Sequence, residues 1–340
     1  MNRKCGLLII ASIVISHLAS PAHAVDCYFY PPDYPNVTGG NWGTPQYWDP
    51  QIPGVGDRAV IGEHQGELVI VQCYVTDERQ VGSLLLHGGC NTRLLIGHEG
   101  KLTVYQNSRI DGDGIERHNG ACIEFYRFQP GAATSDCGAG ELCIGADLTI
   151  AGDGGQILGN INSGQLENPP HCTQGSNPGI ITSANVGGLP ALLTLQSDGQ
   201  RPLQVHGYID IRAKLFNNAR VGVEGVHNVM KLSRWPKTGS GEWYSAGGRL
   251  EVHVPVTWNA MWRLYGDDND DNVPLIWINA ACTELAGNVE VSRGKLQVDE
   301  DFCTTGDLIL QGVNNPQAPY PGSRISVSAG KSAQFSGSCP

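Results

Sequence analysis

Three five-residue segments of this chain repeat one frame. Gly100-Lys101-Leu102-Thr103-Val104, Gly248-Arg249-Leu250-Glu251-Val252 and Gly294-Lys295-Leu296-Gln297-Val298 all read Gly-polar-Leu-polar-Val. Ala146–Ile150 and Gly306–Leu310 are looser copies. Apolar and polar residues that alternate are the signature of a half-buried strand. A strand frame that recurs along the chain points to a repeat architecture. The central leucines at 102 and 148, and those at 250 and 296, lie 46 residues apart. Two coils of about 23 residues each would give that step. Closely spaced strands near 84–86, 94–96 and 102–104 would then be successive faces of one coil. The expected fold is all-β: a right-handed parallel β-helix (β-solenoid) with inserted loops. One or more β-sandwiches are the alternative.

Composition agrees with turns repeated many times. Of 340 residues 45 are Gly, and only 16% are charged, against roughly 25% in an ordinary domain. Gly, Asn and Asp bound most of the apolar runs and turn a chain at low steric cost. No stretch of a dozen residues holds a helical period with caps. Thirty-three acidic residues outweigh 22 basic ones, a net charge of −11. A nucleic-acid binder needs a basic footprint, so that class is excluded.

Residues 1–24 read as a cleaved signal peptide. Arg3 and Lys4 are basic, Gly6 to Ala19 is apolar, and Ala22-His23-Ala24 is a small-x-small cleavage site. The expected location is secreted, extracellular or at the cell surface, with the periplasm as an alternative. No later segment is apolar enough to cross a membrane as a helix. Residues 25–62 are expected to form an N-terminal cap and residues 63–340 the solenoid. Loop insertions are expected near 163–178 and 234–248.

Once Cys5 leaves with the signal peptide, ten cysteines remain: Cys27, Cys73, Cys90, Cys122, Cys137, Cys143, Cys172, Cys282, Cys303 and Cys339. An even number in an oxidising compartment makes disulfides the expectation. Cys137–Cys143 and Cys282–Cys303 would close short loops. No Cys-x-x-Cys occurs, which argues against zinc. Asn36-Val37-Thr38 is a glycosylation sequon.

The segment Gly40-Asn41-Trp42, Tyr47-Trp48 and Pro53-Gly54-Val55-Gly56-Asp57-Arg58-Ala59-Val60-Ile61 resembles an entry motif of bacterial secreted β-solenoids. These are the autotransporter-type and PEP-CTERM-type surface proteins, several of them from planctomycetes. The resemblance is close over about residues 39–62 and weaker over 80–155 and 245–312. It implies a strand ladder beginning here, with Trp42, Trp48 and the Pro-Gly turn covering the open end of the first coil. It implies little about activity. The sequence carries no sorting segment or translocator barrel of that group, so free secretion or a periplasmic life is expected over anchoring.

Several polar clusters are candidate sites. Asp267, Asp268, Asn269, Asp270 and Asp271 crowd carboxylate and amide oxygens into one turn, as a calcium site requires. A solvated acidic turn is the competing reading. Asp111, Asp113, Glu116 and His118 could supply acid/base chemistry beside Arg212 or Lys214, as carboxylates on one sheet face do in solenoid polysaccharide enzymes. The turn reading of Asp-Gly-Asp-Gly competes with it. Trp235, Trp243 and Tyr244 have polar, glycine-rich flanks and are candidates for stacking on a sugar, with core packing as the alternative. No nucleophile elbow, His-Glu-x-x-His or Walker loop is present. Ser328-x-x-Lys331 has a catalytic spacing but lies in a strand end. The expected function is a secreted, non-catalytic β-solenoid with a structural, surface-associated or glycan-binding role, its partner a polysaccharide or cell-surface glycan. The alternative is a β-helix polysaccharide lyase or glycoside hydrolase. Two carboxylates and a Lys or Arg convergent on one sheet face would favour the enzyme. A smooth Ser/Thr/Asn ladder would favour the binder.

Overall fold

The computed structural model of the chain describes residues 24–32, 39–88, 92–97, 99–111, 122–125, 140–151, 156–158, 178–186, 189–196, 202–225, 228–258, 261–265, 274–281, 283–311 and 323–335. The proposed signal peptide, apart from Ala24, lies outside them, as does the expected insertion at 163–178 apart from Pro178.

The described chain winds into a parallel β-helix with three long sheets, of 13, 11 and 10 strands. Each full coil contributes one strand to each sheet. Ser83–His87 lies in the first sheet, Arg93–Ile96 in the second and Lys101–Val104 in the third. The next coil begins beside its predecessor, Ser108–Asp111 pairing in parallel with Ser83–His87. No described helix is long and apolar enough to cross a membrane.

Alternation decides which side chains point inward. Lys214–Asn218 reads exposed-buried from end to end. In the third sheet Leu102, Leu142, Ile181, Ile211, Leu232, Val252, Ile278 and Val298 form one inward column, each in register with the next. All are fully buried. Each such side chain contributes about 1.5–3 kcal/mol of hydrophobic stabilisation.

The three strict Gly-polar-Leu-polar-Val frames all fall in the third sheet, whereas Leu148–Ala151 lies in the first and Leu308–Leu310 in the second. Their glycines stand where the corner brings backbone onto the coil before. A Cβ on Gly100 would lie 2.2 Å from the Val75 carbonyl oxygen, and one on Gly248 would lie 2.6 Å from that of Val223. The 46-residue step has two different origins. Leu250 to Leu296 is two full coils through Ile276. Leu102 to Leu148 is a passage of one coil and one further face, since Leu102 pairs with Leu142.

At the N-terminal end, Trp48–Asp49 pairs antiparallel with Asp26–Phe29, the outermost parallel strand of the first sheet. Trp42 and Trp48 are buried, their rings 4.8 Å apart, and Trp48 Nε1 donates to the Trp42 carbonyl at 2.6 Å. Asp57 of the Pro-Gly-x-Gly-Asp run organises the turn, accepting from the backbone N–H of Gly54 at 2.9 Å and of Val25 at 3.3 Å. The segment 25–62 is more than a cap, because Asp26–Phe29 and Gly39–Asn41 are themselves strands of the first and second sheets.

Two expectations are corrected. Residues 234–248 are not a protruding loop: Lys237–Gly239 and Trp243–Ala246 are ordinary strands of the first and second sheets. General disulfide pairing also fails, because Cys27, Cys73 and Cys143 are unbridged, buried thiols. Cys27 and Cys73 stand on inward positions beside Ala59 and Leu94, and Cys143 lies between Thr103 and Thr182, so no second sulfur neighbours them in register. The short Cys137–Cys143 loop is therefore not closed. Cys122 is buried, and Cys303 is disulfide-bonded to a partner outside the described residues. Cys90, Cys137, Cys172, Cys282 and Cys339 lie outside them too.

Candidate functional site

The outer face of the third sheet carries a linked set of ordered polar side chains. Two of its strands put charged residues at positions i and i+2, flanking one inward apolar residue. Tyr208–Ile211 continues into Arg212, and Arg249–Val252 into His253. Register stacks these positions across coils. Asp210, Lys231, Glu251, Trp277 and Gln297 occupy one outward column. Val229, Arg249, Leu275, Lys295 and Arg324 occupy the column beside it. Adjacent members are about 4.8 Å apart along the solenoid axis.

Three carboxylates at this face, Asp210, Glu251 and Asp299, are engaged. Asp210 is buried, accepts from Arg212 Nε at 2.8 Å and takes the Ser233 hydroxyl at 2.5 Å. Glu251 lies 2.7 Å from Arg249 Nε and 3.0 Å from His253 Nε2. Burial acts to raise its pKa, but the His253 contact and the Arg249 charge prevail and hold it below the usual range. Asp299 accepts from Ser328 Oγ at 2.6 Å, Trp277 Nε1 at 2.6 Å and Gln297 Nε2 at 3.0 Å, and the Ser328 bond leads in holding its pKa down. The Arg249 guanidinium lies 4.8 Å over the Trp277 ring, and His253 meets that ring edge-on at 5.2 Å.

A smaller network sits on the second sheet. The Tyr244 hydroxyl donates to Glu224, which also accepts from Gln204 Nε2 at 3.3 Å. Burial, then the Glu224 bond, pushes the Tyr244 phenol well above its usual range. Arg220 lies 4.9 Å over the Tyr244 ring, and Arg263 bridges Glu242 and Glu290 at 3.0 Å each.

The first sheet presents a plainer outer face. Thr149, Thr194, Phe216, Thr238 and Thr257 follow one another in register along one column.

The structure distributes the sequence candidates differently from the expectation. Trp243 is fully buried in the interior, its ring 5.1 Å from Trp258 and its backbone paired with Trp262, so it cannot present a ring to a sugar. Tyr244 is also buried. Trp235 alone of the three is half-buried, and its Nε1 has no hydrogen-bond partner among the described residues. Asp111 pairs with Arg109 at 2.8 Å on the first sheet. Lys214 lies on the same sheet three strands away, which is about 14 Å, and Arg212 is bound to Asp210. The proposed cleft of Asp111 with Arg212 or Lys214 therefore does not form. Asp113, Glu116 and His118 lie outside the described residues, as do Asp267, Asp268, Asn269, Asp270 and Asp271 of the proposed calcium turn. Among the described residues, no three His, Cys, Asp or Glu converge as metal ligands do.

No family model, curated protein or solved structure matches the chain.

Sequence reasoning missed Asp210, Glu251, His253, Trp277 and Asp299. The signal that marks Asp210, Glu251 and His253 is a charged residue on each side of one inward aliphatic, as in Asp210-Ile211-Arg212 and Arg249-Leu250-Glu251-Val252-His253; Trp277 and Asp299 carry no such signal. Such a pair places both charges on one face of a strand.

Proposed function

We propose that the chain is a secreted, non-catalytic β-solenoid that binds an extended glycan along the outer face of its third sheet. One observation carries the reading. Asp210, Glu251 and Asp299 at that face are held in ion pairs and hydrogen bonds, and Glu251 and Asp299 are both held below their usual pKa. A glycosidase needs a carboxylic acid kept protonated to donate to the leaving oxygen, which requires the opposite shift. A flat face of fixed donors and acceptors repeating every strand suits a linear polymer whose hydroxyls repeat along its length. The signal-like N-terminal segment and the resemblance of residues 39–62 to secreted solenoids support a life outside the cytoplasm, at a surface or in a matrix.

A β-helix lyase or hydrolase is the second reading. It is favoured by Asp210, Lys231 and Glu251, which stand on three successive strands in one column. The two carboxylates are thus about 9.6 Å apart in the backbone, near the upper end of inverting geometry.

One experiment separates the readings. The full chain is incubated with a panel of neutral and acidic polysaccharides, and both bound protein and new reducing or unsaturated ends are measured. Binding without products is expected. Product formation that disappears in Glu251→Gln or Asp210→Asn would establish the enzyme instead.

A further inference from the structure

Lys295 and Arg324 face the same way from adjacent strands of the third sheet, paired in register. Their backbones are about 4.8 Å apart. Like charges placed directly across a strand pair repel, and a stable sheet usually sets a carboxylate between them. Among the described residues none intervenes. Lys295 Nζ donates at 2.9 Å to the neutral Gln297 Oε1. Gln297 turns its amide nitrogen to Asp299, whose carboxylate is already taken by Ser328 and Trp277. Gln297 therefore stands between the lysine and the nearest acid. Arg324 is exposed and makes no ion pair or hydrogen bond among the described residues. Asp299 feels the lysine charge, but no carboxylate among the described residues is bonded to either cation, in a chain of net charge −11.

We infer that Lys295 and Arg324 form an anion-reading pair, and that the glycan bound on this face is an acidic polysaccharide whose carboxylate or sulfate groups they hold. The inference rests on the glycan-binding reading above and names the charge of its ligand. A carboxylate or sulfate between the two side chains would accept from the lysine ammonium and from the planar guanidinium together. The outward Ser326 of the neighbouring column would lie beside the sugar hydroxyls. Arg249, in the same column as Lys295, carries the positive edge two strands further along. A nucleic acid fits less well. Phosphate backbones are bound by many cations tracking the strand, whereas this face sets Lys231 between Asp210 and Glu251 and belongs to an acidic protein.

The test uses the full chain, with dextran sulfate and alginate as acidic probes and dextran as the neutral one, in affinity electrophoresis and calorimetric titration. Expected is binding to the acidic probes that weakens with added salt. Affinity should fall at least about tenfold, or roughly 1.4 kcal/mol, in the Lys295→Gln/Arg324→Gln double variant. That variant should keep the far-ultraviolet circular dichroism and melting temperature of the parent. Equal binding of dextran, or unchanged affinity in the double variant, overturns the inference while leaving glycan binding intact. Binding of no polysaccharide, neutral or acidic, overturns both. Tighter binding to duplex DNA or to anionic lipid vesicles than to either acidic probe overturns the assignment to a polysaccharide.

Discussion

Lys237 donates from inside the solenoid to the Ala213 carbonyl, Nζ to O 2.6 Å, and also to the Ser233 carbonyl at 3.0 Å. It is fully buried, on an inward position between Leu215 and Val256. An amine in that place ties the interior to the corner that carries the candidate face, because the hydroxyl of the same Ser233 holds Asp210. Burial pulls the Lys237 pKa from its ordinary 10.5 to about 7, against the raising influence of Asp210.

A pH dependence of stability follows. The unfolded chain holds the proton up to about pH 10.5, the folded one only to about 7. Between those values the unfolded state binds more protons, so stability rises with pH. The buried amine costs nothing above pH 10.5 and its full penalty, on the order of a few kcal/mol, below about pH 7. Lys237→Met removes the titrating group and leaves the Ala213 carbonyl unpaired. The difference in unfolding free energy between variant and parent should therefore shift in favour of the variant as pH falls from 10 to 7. Denaturant unfolding across that range measures it. A difference independent of pH would show that Lys237 keeps an ordinary pKa in the folded chain.

The strand frames were legible because alternation around Leu102, Leu250 and Leu296 needs only local sequence. The register was not. Ile211, Leu232 and Val252 follow one another in the third sheet at steps of 21 and 20 residues, whereas Leu102, Leu142 and Ile181 are 40 and 39 apart. The extra length enters largely between Phe125 and Gly140 and between Leu158 and Pro178, both passages from the second sheet to the third. A fixed period cannot survive such insertions, so the column that stacks Asp210, Lys231 and Glu251 is invisible without coordinates. Trp243 misled for a related reason. The preceding Gly239-Ser240-Gly241 is small and polar, as a loop would be, but Gly239 and Gly241 press onto the Asn217 and Ala219 backbones of the coil before. The glycines there reflect close packing rather than a loop.

Trp48 closes the N-terminal end, and its removal should act locally. Its ring lies 5.1 Å from Phe29 and 4.8 Å from Trp42. Trp48→Ala should cost about 3–5 kcal/mol, and Trp48→Phe distinctly less. In a stacked array each coil is stabilised by its neighbours, so an uncapped end frays first. Hydrogen exchange should accelerate at Asp26–Phe29 and Arg58–Ile61 well before Val229–Leu232 and Arg249–Val252. Equal acceleration along the whole solenoid would mean that the two tryptophans are not an end cap.

The unbridged cysteines make the sharpest chemical prediction, because the proposed export would place them where thiols ordinarily form disulfides. Cys27, Cys73 and Cys143 escape by being inaccessible. Burial leads in raising each thiol pKa, Cys27 to about 11 with Asp57 adding to the effect, and Cys73 well above its ordinary value. The thiolate is the reactive form, so these sulfurs are both hidden and protonated at neutral pH. Native protein treated with iodoacetamide should leave all three unmodified, and all three should label on unfolding in denaturant without reductant. Cys303 should label only after reduction, since it is disulfide-bonded. Peptide mass spectrometry of the two alkylation steps reads every site at once. Finding Cys73 in a disulfide would place it against another sulfur rather than against Leu94, and would undo the register of the second sheet with it.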